Sequence, residues 1–277
     1  MSTTVQSSAV TVPSLAAKPR TLDELMQNVS ASRLSLFHQC RLKFYFRYVL
    51  GLASPKSPAL QMGSSDHAVL KEWNKARWRG EILTLRQLHD LYTESWAAEQ
   101  AEHPVNWEDD NEEEEKKVGW RLLETYFREG PIKPDEKPEA VEVSVEADLF
   151  HRGLPNLIGI IDLVRPGGVV VDFKTSGKAP DPFTVLHLHE VQISAYGVLY
   201  EASTGHAASG FELHHLIKTK NPKLVVTSLP PMTDVQEKKL FHLMESYVEG
   251  VQRQDWVPSP SFLCGSCEHY VTCRAWC

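Results

Sequence analysis

The stretch from Leu157 to Thr175, LIGIIDLVRPGGVVVDFKT, contains the pattern that decides the fold. Leu157 to Val164 and Val169 to Val171 are almost continuously apolar, as strands are when both faces of their sheet are covered. The four residues between them, RPGG, are typical of a tight turn. The stretch therefore predicts two adjacent, buried strands in a mixed sheet.

Charged side chains interrupt these two strands. Asp162 lies within the first strand, Asp172 ends the second, and Lys174 follows two residues later. A buried carboxylate is costly unless it is paired or binds a metal ion. Residues two apart on a strand share a face, so Asp172 and Lys174 should project together while Phe173 faces the opposite layer. A salt-bridged strand end is the alternative interpretation, but two carboxylates with a lysine suggest a site for a hard cation.

The composition restricts the class of protein. The 277 residues are 42% hydrophobic and 23% charged, as expected for a globular chain with one large domain or two small ones. No apolar run reaches the roughly 18–20 residues of a membrane span, so we expect no membrane partner and a cytoplasmic location. Residues 1–20 lack the Arg-rich amphipathic pattern of a transit peptide, and we expect a disordered tail there.

Helical and strand patterns divide the remaining chain into three parts. A helical region over 21–135 includes one helix that carries Cys40 (Ser32 to Val49) and one that carries His67 (Gly63 to Arg79). Residues 136–255 predict an alternating strand before the two central strands, then a helix, a final strand at Phe211 to Thr219 and a last helix. A cysteine-rich tail occupies 256–277.

Four short motifs follow one another along the chain: Met62-Gly63-x3-His67, Gly159-x2-Asp162, Asp172-x-Lys174 and Gln192-x3-Tyr196. In these residues and in their order, the chain resembles one branch of the PD-(D/E)xK superfamily, the RecB-type nucleases, which include the AddB subunit and the CRISPR adaptation nucleases. One departure is that Ile161, not proline, precedes Asp162. The resemblance covers about Ser32 to Cys273 and implies an α/β fold with a restriction-endonuclease-like core, an αβββαβ mixed sheet.

The resemblance also implies roles for these residues. Lys174 would lie beside the attacking water and favour its hydroxide form. Gln192 and Tyr196, one helical turn apart, would orient the scissile phosphate or Lys174. Asp162 and Asp172 complete the catalytic set. The implied ligands of Mg²⁺ or Mn²⁺ are His67, Asp162, Asp172 and the backbone carbonyl of Phe173.

Other candidates near these motifs receive no role from the sequence. Glu142 could reach the site from the neighbouring strand, but an alternating strand with one wet face favours a solvent-facing position. The histidines 187, 189, 214 and 215 are potential metal ligands that no motif includes.

Cysteines form a second constellation. Cys264-x2-Cys267-x5-Cys273 has a spacing that binds either zinc or an iron–sulfur cluster. In iron–sulfur members of the resembled family, a fourth cysteine comes from a helix ahead of the nuclease core, and Cys40 has that position. The resemblance therefore implies a [4Fe–4S] cluster on Cys40, Cys264, Cys267 and Cys273, in a tail that packs back on the Cys40 helix. A local zinc site that uses Cys277 is the alternative.

Basic and aromatic residues interleave beside Cys40. Arg41, Lys43 and Arg47 lie in the acid-free window from Ala31 to Ser65, although the chain as a whole has a net charge of −7. Such a mixture can neutralise phosphates and stack on bases, so we expect these three residues to bind DNA. The aromatic residues between them are equally consistent with a core face.

The sequence thus predicts a metal-dependent deoxyribonuclease, an exonuclease that acts on single-stranded or unwound DNA ends in repair or recombination. The chain has no P-loop motif, so a helicase motor would come from a partner. One alternative is a CRISPR adaptation nuclease that trims DNA with partner proteins. Others are a non-catalytic DNA-binding subunit of a helicase–nuclease complex, and a redox or zinc protein in which the tail is the functional part.

Overall fold

A computed structural model describes residues 18–52, 56–107 and 110–276. Most of the predicted disordered tail, residues 1–17, lies outside this described part, as does Cys277. Helices span Leu22–Gln27 (α1), Ala31–Gln39 (α2), Arg41–Phe44 (α3), Pro58–Arg79 (α4), Leu85–Glu102 (α5), Glu112–Glu129 (α6), Val185–Thr204 (α7), Asp234–Gln252 (α8) and Tyr270–Ala275 (α9). Strands span Asn28–Ser30 (β1), Ala140–Ala147 (β2), Asn156–Arg165 (β3), Val169–Ser176 (β4), Gly210–Ile217 (β5) and Lys223–Leu229 (β6).

The strands form one mixed sheet in which β3 is central. β3 pairs antiparallel with β2 along one edge, and its other edge is shared by β1, which is parallel, and β4, which is antiparallel. β4 then pairs in parallel with β5, and β5 pairs antiparallel with β6. The order α4, β2, β3, β4, α7, β5 matches the predicted αβββαβ core.

Helices cover both faces of this sheet. One core cluster joins the sheet to α1, α2, α3, α7 and α8, and a second joins it to α4, α5 and α6. Buried apolar strands need such cover, since each unit of apolar surface removed from water contributes to stability. The two central strands, β3 and β4, therefore lie between helical layers, as the sequence predicts. None of the described helices combines the length and the apolar character that a membrane crossing needs.

The structure corrects several predicted elements. The helix predicted from Ser32 to Val49 is broken at Cys40, whose backbone is extended (φ −162°, ψ 107°). Its last part, Tyr45–Val49, is a π-helical turn. The break is stabilised from outside, because the N–H of Leu42 donates to the carbonyl of Val257 at 3.1 Å.

Two strands were absent from the prediction. β1 adds a short strand from the region predicted as helical, and β6 follows β5, so the strand predicted from Phe211 to Thr219 is not the last one. The helix after the two central strands, α7, begins at Val185 after a turn. α4 begins at Pro58 and not at Gly63, where the sequence predicts its start.

Candidate active site

The candidate site lies where β3 and β4 separate. Their ladder pairs Leu163 with Val171 near the turn and does not continue to Asp162 and Asp172. The N–H of Phe173 donates to the side chain of a β3 residue, Asp162 Oδ2, at 3.1 Å. The two predicted carboxylates therefore meet at the opening of this fork.

At one level of β2 and β3, the side chains change from one face of the sheet to the other, next to the fork. Glu142 lies between the register pairs Val141–Leu163 and Val143–Ile161, at the level of Asp162, and has a left-handed backbone with φ 49°. Val141, just before it, packs on the α4–α6 side, whereas Val143, just after it, packs on the α7–α8 side. β3 changes sides at the same level. A non-glycine residue in this conformation is uncommon and is often found at functional sites.

Asp172 is held by residues from α7. Gln192 Nε2 donates to Asp172 Oδ1 at 2.7 Å, and the Tyr196 hydroxyl donates to the same oxygen at 3.2 Å. Lys174 Nζ lies 2.7 Å from Oδ2. Phe173 packs into the opposite helical layer, so the predicted alternation of Asp172, Phe173 and Lys174 is what the structure has. The Asp172–Lys174 pair and the Gln192–Tyr196 pair thus form one hydrogen-bonded group.

His67 approaches the fork from α4. Its Nε2 lies 2.9 Å from the carbonyl oxygen of Phe173, and its Nδ1 lies 3.7 Å from Asp162 Oδ2. The expectation that Glu142 faces solvent is wrong: it offers a carboxylate oxygen within 4.8 Å of ligand atoms from His67 and Asp162. Lys71 Nζ lies 3.7 Å from Glu142 and offsets part of its charge.

The chemistry of these donors fits a hard divalent cation. Asp172 Oδ2 is buried and forms an ion pair with Lys174 Nζ at 2.7 Å, and it accepts no hydrogen bond from another described residue. Burial raises the pKa of Asp162 to about 6, and the neighbouring Asp172 carboxylate adds to that rise while His67 opposes it. A cation would compensate both carboxylates. Ligand atoms of His67, Glu142 and Asp162 lie within 4.8 Å of one another, which is close enough to share one ion.

Asp66, next to His67, anchors α4 to the end of β4. It is fully buried and accepts a hydrogen bond from the Thr175 hydroxyl at 3.0 Å. Burial raises the pKa of Asp66 well above its ordinary value, and the Thr175 hydrogen bond opposes this. The contact fixes the helix that carries His67 against the strand that carries Lys174. No local pattern predicts this role, because a lone aspartate on a helix is usually exposed.

Two histidines that no motif includes lie beside Lys174. His215 on β5 is the register partner of Lys174 on β4, and it is buried with Nδ1 lacking a hydrogen bond. The rings of His215 and His189 are 5.6 Å apart between centroids. The pKa of His189 is lowered by burial and then by the charge of Lys174. His214 faces the other layer, where Tyr126 and Glu212 bind both of its nitrogens at 2.9 Å.

The four cysteines predicted as ligands line one cavity, of about 60 Å³. Burial raises the pKa of Cys273, and the nearby thiols of Cys40, Cys267 and Cys264 raise it further. The chain thus places Cys40 beside the tail cysteines. Among the described residues, however, no three cysteine sulfurs lie within 4.8 Å of one another.

The basic residues near Cys40 have different environments. Arg41 forms an ion pair with Asp255, and Lys43 Nζ lies 2.8 Å from Glu268. Arg47 is exposed. Two of the three predicted DNA contacts therefore connect α3 to the C-terminal segment.

Comparison with known proteins supports the same family. The sequence profile of the PD-(D/E)XK nuclease superfamily matches residues 28–274. No curated protein matches the chain. The crystal structure of a candidate exonuclease from Eubacterium rectale is similar at a TM-score of 0.61, with 16% identity and 90% of each chain covered. The structure of SSO0001 has a TM-score of 0.37 and 14% identity, covering 88% of this chain and 95% of its own. The profile match over most of the chain, on a fold whose fork carries the motif residues, shows that this protein belongs to the PD-(D/E)XK nuclease superfamily.

Proposed function

We propose that this nuclease is a metal-dependent deoxyribonuclease of the RecB-type branch, an exonuclease that hydrolyses phosphodiesters at single-stranded or unwound DNA ends in repair or recombination. The observation that carries the proposal is the convergence of Asp162, Asp172, Lys174 and His67 at the fork between β3 and β4. The fold of the Eubacterium rectale protein is consistent with an exonuclease. A non-catalytic subunit would have no reason to keep this set intact.

The residues divide the work of hydrolysis. A bound Mg²⁺ or Mn²⁺, held by His67, Asp162, Asp172 and the Phe173 carbonyl, would activate water and neutralise phosphate charge. Glu142 joins this ligand set in our proposal.

The remaining residues position the reacting groups. Gln192 and Tyr196 both donate hydrogen bonds to Asp172 Oδ1, so Oδ2 is the oxygen that we expect to bind the cation. Lys174, whose side chain is 28% exposed, can be reached by substrate and stabilises negative charge on the attacking oxygen and the phosphate.

A [4Fe–4S] cluster on Cys40, Cys264, Cys267 and Cys273 is the second part of the proposal. The support for this part of the proposal is the cavity that all four cysteines line, which brings Cys40 beside the tail cysteines. Four thiolates around one cavity are the ligand type of such a cluster, and its role would be structural.

Of the three basic residues near this cluster, Arg47 is the one that we expect to contact DNA most. It is exposed, whereas Arg41 and Lys43 are half-buried and form ion pairs. Replacing Arg47 by Glu should weaken DNA binding. It should also reduce the slope of log binding constant against log salt concentration by about 0.7 on single strands.

Helicase, CRISPR or repair proteins remain the expected protein partners.

The decisive experiment uses protein purified without oxygen and DNA labelled separately at each end. Metal-dependent degradation of single-stranded DNA, with products that shorten progressively from one end, would support the exonuclease. Internal cuts in circular single strands would replace exonuclease by endonuclease. No cleavage with either Mg²⁺ or Mn²⁺ would favour the non-catalytic subunit.

A further inference from the structure

A second lysine lies at the candidate active site, besides Lys174. Lys71 Nζ lies 3.7 Å from Glu142 Oε2, and the lysine side chain is 39% exposed. Lys71 follows His67 by four residues on α4, so the two side chains share one face of that helix about one turn apart. A second ammonium group therefore borders the ligands of the proposed cation.

The two lysines approach the fork from opposite faces of the sheet. Asp172 and Lys174 share the face of β4 that is turned toward α7, whose side chains hold Asp172. Lys71 extends from α4, on the other face, to Glu142 on β2. Because β3 is the strand between β2 and β4, its Asp162 lies between these two ion pairs. A phosphate bound at the fork would therefore have an ammonium group on each side.

The formal charges at the fork match a phosphodiester when Lys71 is included. Glu142, Asp162 and Asp172 bring three carboxylates together, and Lys71 and Lys174 each pair with one of them. A divalent cation then leaves one positive charge in excess, and a phosphodiester carries one negative charge. Without Lys71, the cation and Lys174 would neutralise the carboxylates and leave the charge of the phosphate uncompensated. The balance therefore indicates an anion beside Lys71.

The stability of the fold does not explain the position of Lys71. Its distance from Glu142 exceeds that of a hydrogen bond, and an ion pair with a partly exposed lysine contributes little to stability. The same face of α4 has room beside His67, because a Cβ on Gly63, one turn before it, would meet no protein atom within 4 Å. A substrate group can therefore reach the α4 side of the fork.

We propose that Lys71 binds a non-bridging oxygen of the scissile phosphate on the α4 side of the cation, while Lys174 acts from the α7 side. Once a cation neutralises Glu142, the flexible Lys71 side chain can leave its ion pair and turn to the phosphate. The inference rests on the proposed function and deepens it by assigning a residue that binds the substrate. Lys71 contacts the phosphate and not the base, so its effect is the same for any base sequence.

The test compares Lys71→Gln with the wild type in two assays: Mn²⁺ binding without DNA, from the electron paramagnetic resonance signal of free Mn²⁺, and cleavage of a single-stranded oligonucleotide at saturating Mn²⁺. The variant should bind Mn²⁺ about three- to tenfold more tightly, because a positive charge near the cation is lost. Its kcat/KM should fall about tenfold or more, because a charge-assisted contact with the phosphate is lost. The slope of log kcat/KM against log salt concentration should become shallower by about 0.7.

Two further variants serve as controls. Lys71→Arg keeps the charge and should retain the Mn²⁺ affinity, the salt slope and most of the activity of the wild type. Lys75→Gln, one turn further along α4, removes a lysine whose side chain is 38% exposed and lies 3.0 Å from Glu72 of the same helix. It should change neither Mn²⁺ binding nor cleavage. Thermal unfolding of all three variants should stay close to that of the wild type, since each ion pair is partly exposed.

The opposite signs of the two effects distinguish phosphate binding from support of Glu142. If Lys71→Gln weakened Mn²⁺ binding, Lys71 would position Glu142 and the inference would be wrong. Unchanged kcat/KM and salt slope in Lys71→Gln, with a wild type that cleaves DNA, would also refute the inference and leave the proposed function intact. A wild type that cleaves in neither Mg²⁺ nor Mn²⁺ would overturn the inference together with the proposed function.

Discussion

The two carboxylates at the fork are held in different ways, and the difference defines their roles. Asp172 Oδ1 accepts hydrogen bonds from two side chains of α7, whereas Asp162 Oδ2 accepts one from a backbone N–H. Asp172 is therefore fixed by side chains that can be replaced, and Asp162 is fixed by the sheet itself. Glu142 forms an ion pair with Lys71 at 3.7 Å, and its carboxylate lies within 4.8 Å of ligand atoms of His67 and Asp162.

Replacing Glu142 by Gln should weaken the binding of the cation. The change removes one negative oxygen ligand but keeps the size of the side chain, so the Mn²⁺ concentration for half-maximal activity should rise about tenfold or more. The control is Glu146→Gln, an exposed position on the same strand. An unchanged Mn²⁺ requirement in Glu142→Gln would remove Glu142 from the ligand set.

The raised pKa of Asp162 predicts a pH dependence of stability in metal-free protein. Its pKa is about 6 in the folded protein, above the ordinary value of about 3.9 in the unfolded chain. Folding therefore favours the protonated form, and the stability present at low pH is lost as pH rises through about 6. In EDTA the Tm should fall from pH 5 to pH 7, and Asp162→Asn should reduce this fall.

The buried Asp66 contributes in the same direction, so the informative quantity is the difference in slope between Asp162→Asn and the wild type. Mn²⁺ should raise the wild-type Tm more at pH 7.5 than at pH 5, since it displaces the proton from Asp162. Parallel Tm curves for the two proteins in EDTA would contradict this assignment.

At the residue scale, local motifs predicted the carboxylates, Lys174 and the Gln192–Tyr196 pair, because spacing of two or four residues fixes a shared face. Glu142 was missed for a physical reason. Strict alternation predicts that it faces away from its valine neighbours, but the left-handed backbone at Glu142 changes the faces of the strand. Such a conformation has no sequence signature when the residue is not glycine or asparagine.

Among the elements, the junction of α2 and α8 depends on a close approach at Gly250. A Cβ there would lie 2.5 Å from Phe37, a fully buried ring that also packs edge-on against Phe44 and Tyr247. This junction supports the segment that carries Cys40. The approach is possible only because Gly250 has no side chain.

Gly250→Ala should therefore destabilise the fold by about 1–3 kcal/mol, as overpacking of a core does. The matched control is Gly63→Ala in α4, where a Cβ would meet no protein atom within 4 Å. Its stability should rise by about 0.5–1 kcal/mol from helix propensity alone. Denaturant unfolding of both variants measures the difference, and a destabilisation of Gly63→Ala as large as that of Gly250→Ala would show that the contact at Phe37 is not the cause.

Predicted helices agree with the structure where an apolar helical period coincides with an N-terminal capping residue. Thr84 and Thr233 form capping boxes at the starts of α5 and α8. The break at Cys40 was not predictable, since it contains neither glycine nor proline and the apolar period continues through it. It forms because a distant residue, Val257, accepts the N–H of Leu42, and a contact between such distant parts of the chain has no local signal.

For the whole molecule, the cysteine cavity joins the start of the described chain to its end. Ion pairs of Arg41 with Asp255 and of Lys43 with Glu268 flank the cavity. A cluster bound there would close almost the entire chain, and its metal–ligand bonds would stabilise the folded state against the entropy of that large loop.

Protein purified without oxygen should accordingly be brown and contain about four iron atoms and little zinc. Cys40→Ala should lose the iron as completely as Cys267→Ala, and Cys277→Ala should keep it. Limited proteolysis of either iron-free variant should cut near Cys40 and near the tail at similar rates. A colourless protein with one zinc ion, sensitive to Cys277→Ala and insensitive to Cys40→Ala, would refute the cluster and leave the nuclease core unaffected.

The most direct test of the account is the rate of DNA degradation by Asp172→Ala and Lys174→Ala in Mg²⁺ and Mn²⁺, beside Lys117→Ala as a surface-lysine control. Loss of a ligand or of the stabilising charge should lower the rate roughly 10²-fold or more, while the control keeps the wild-type rate. Circular dichroism and single-strand binding should show that both variants remain folded and bind DNA. A rate within a few-fold of wild type in either variant would contradict the assignment of the fork as the catalytic site.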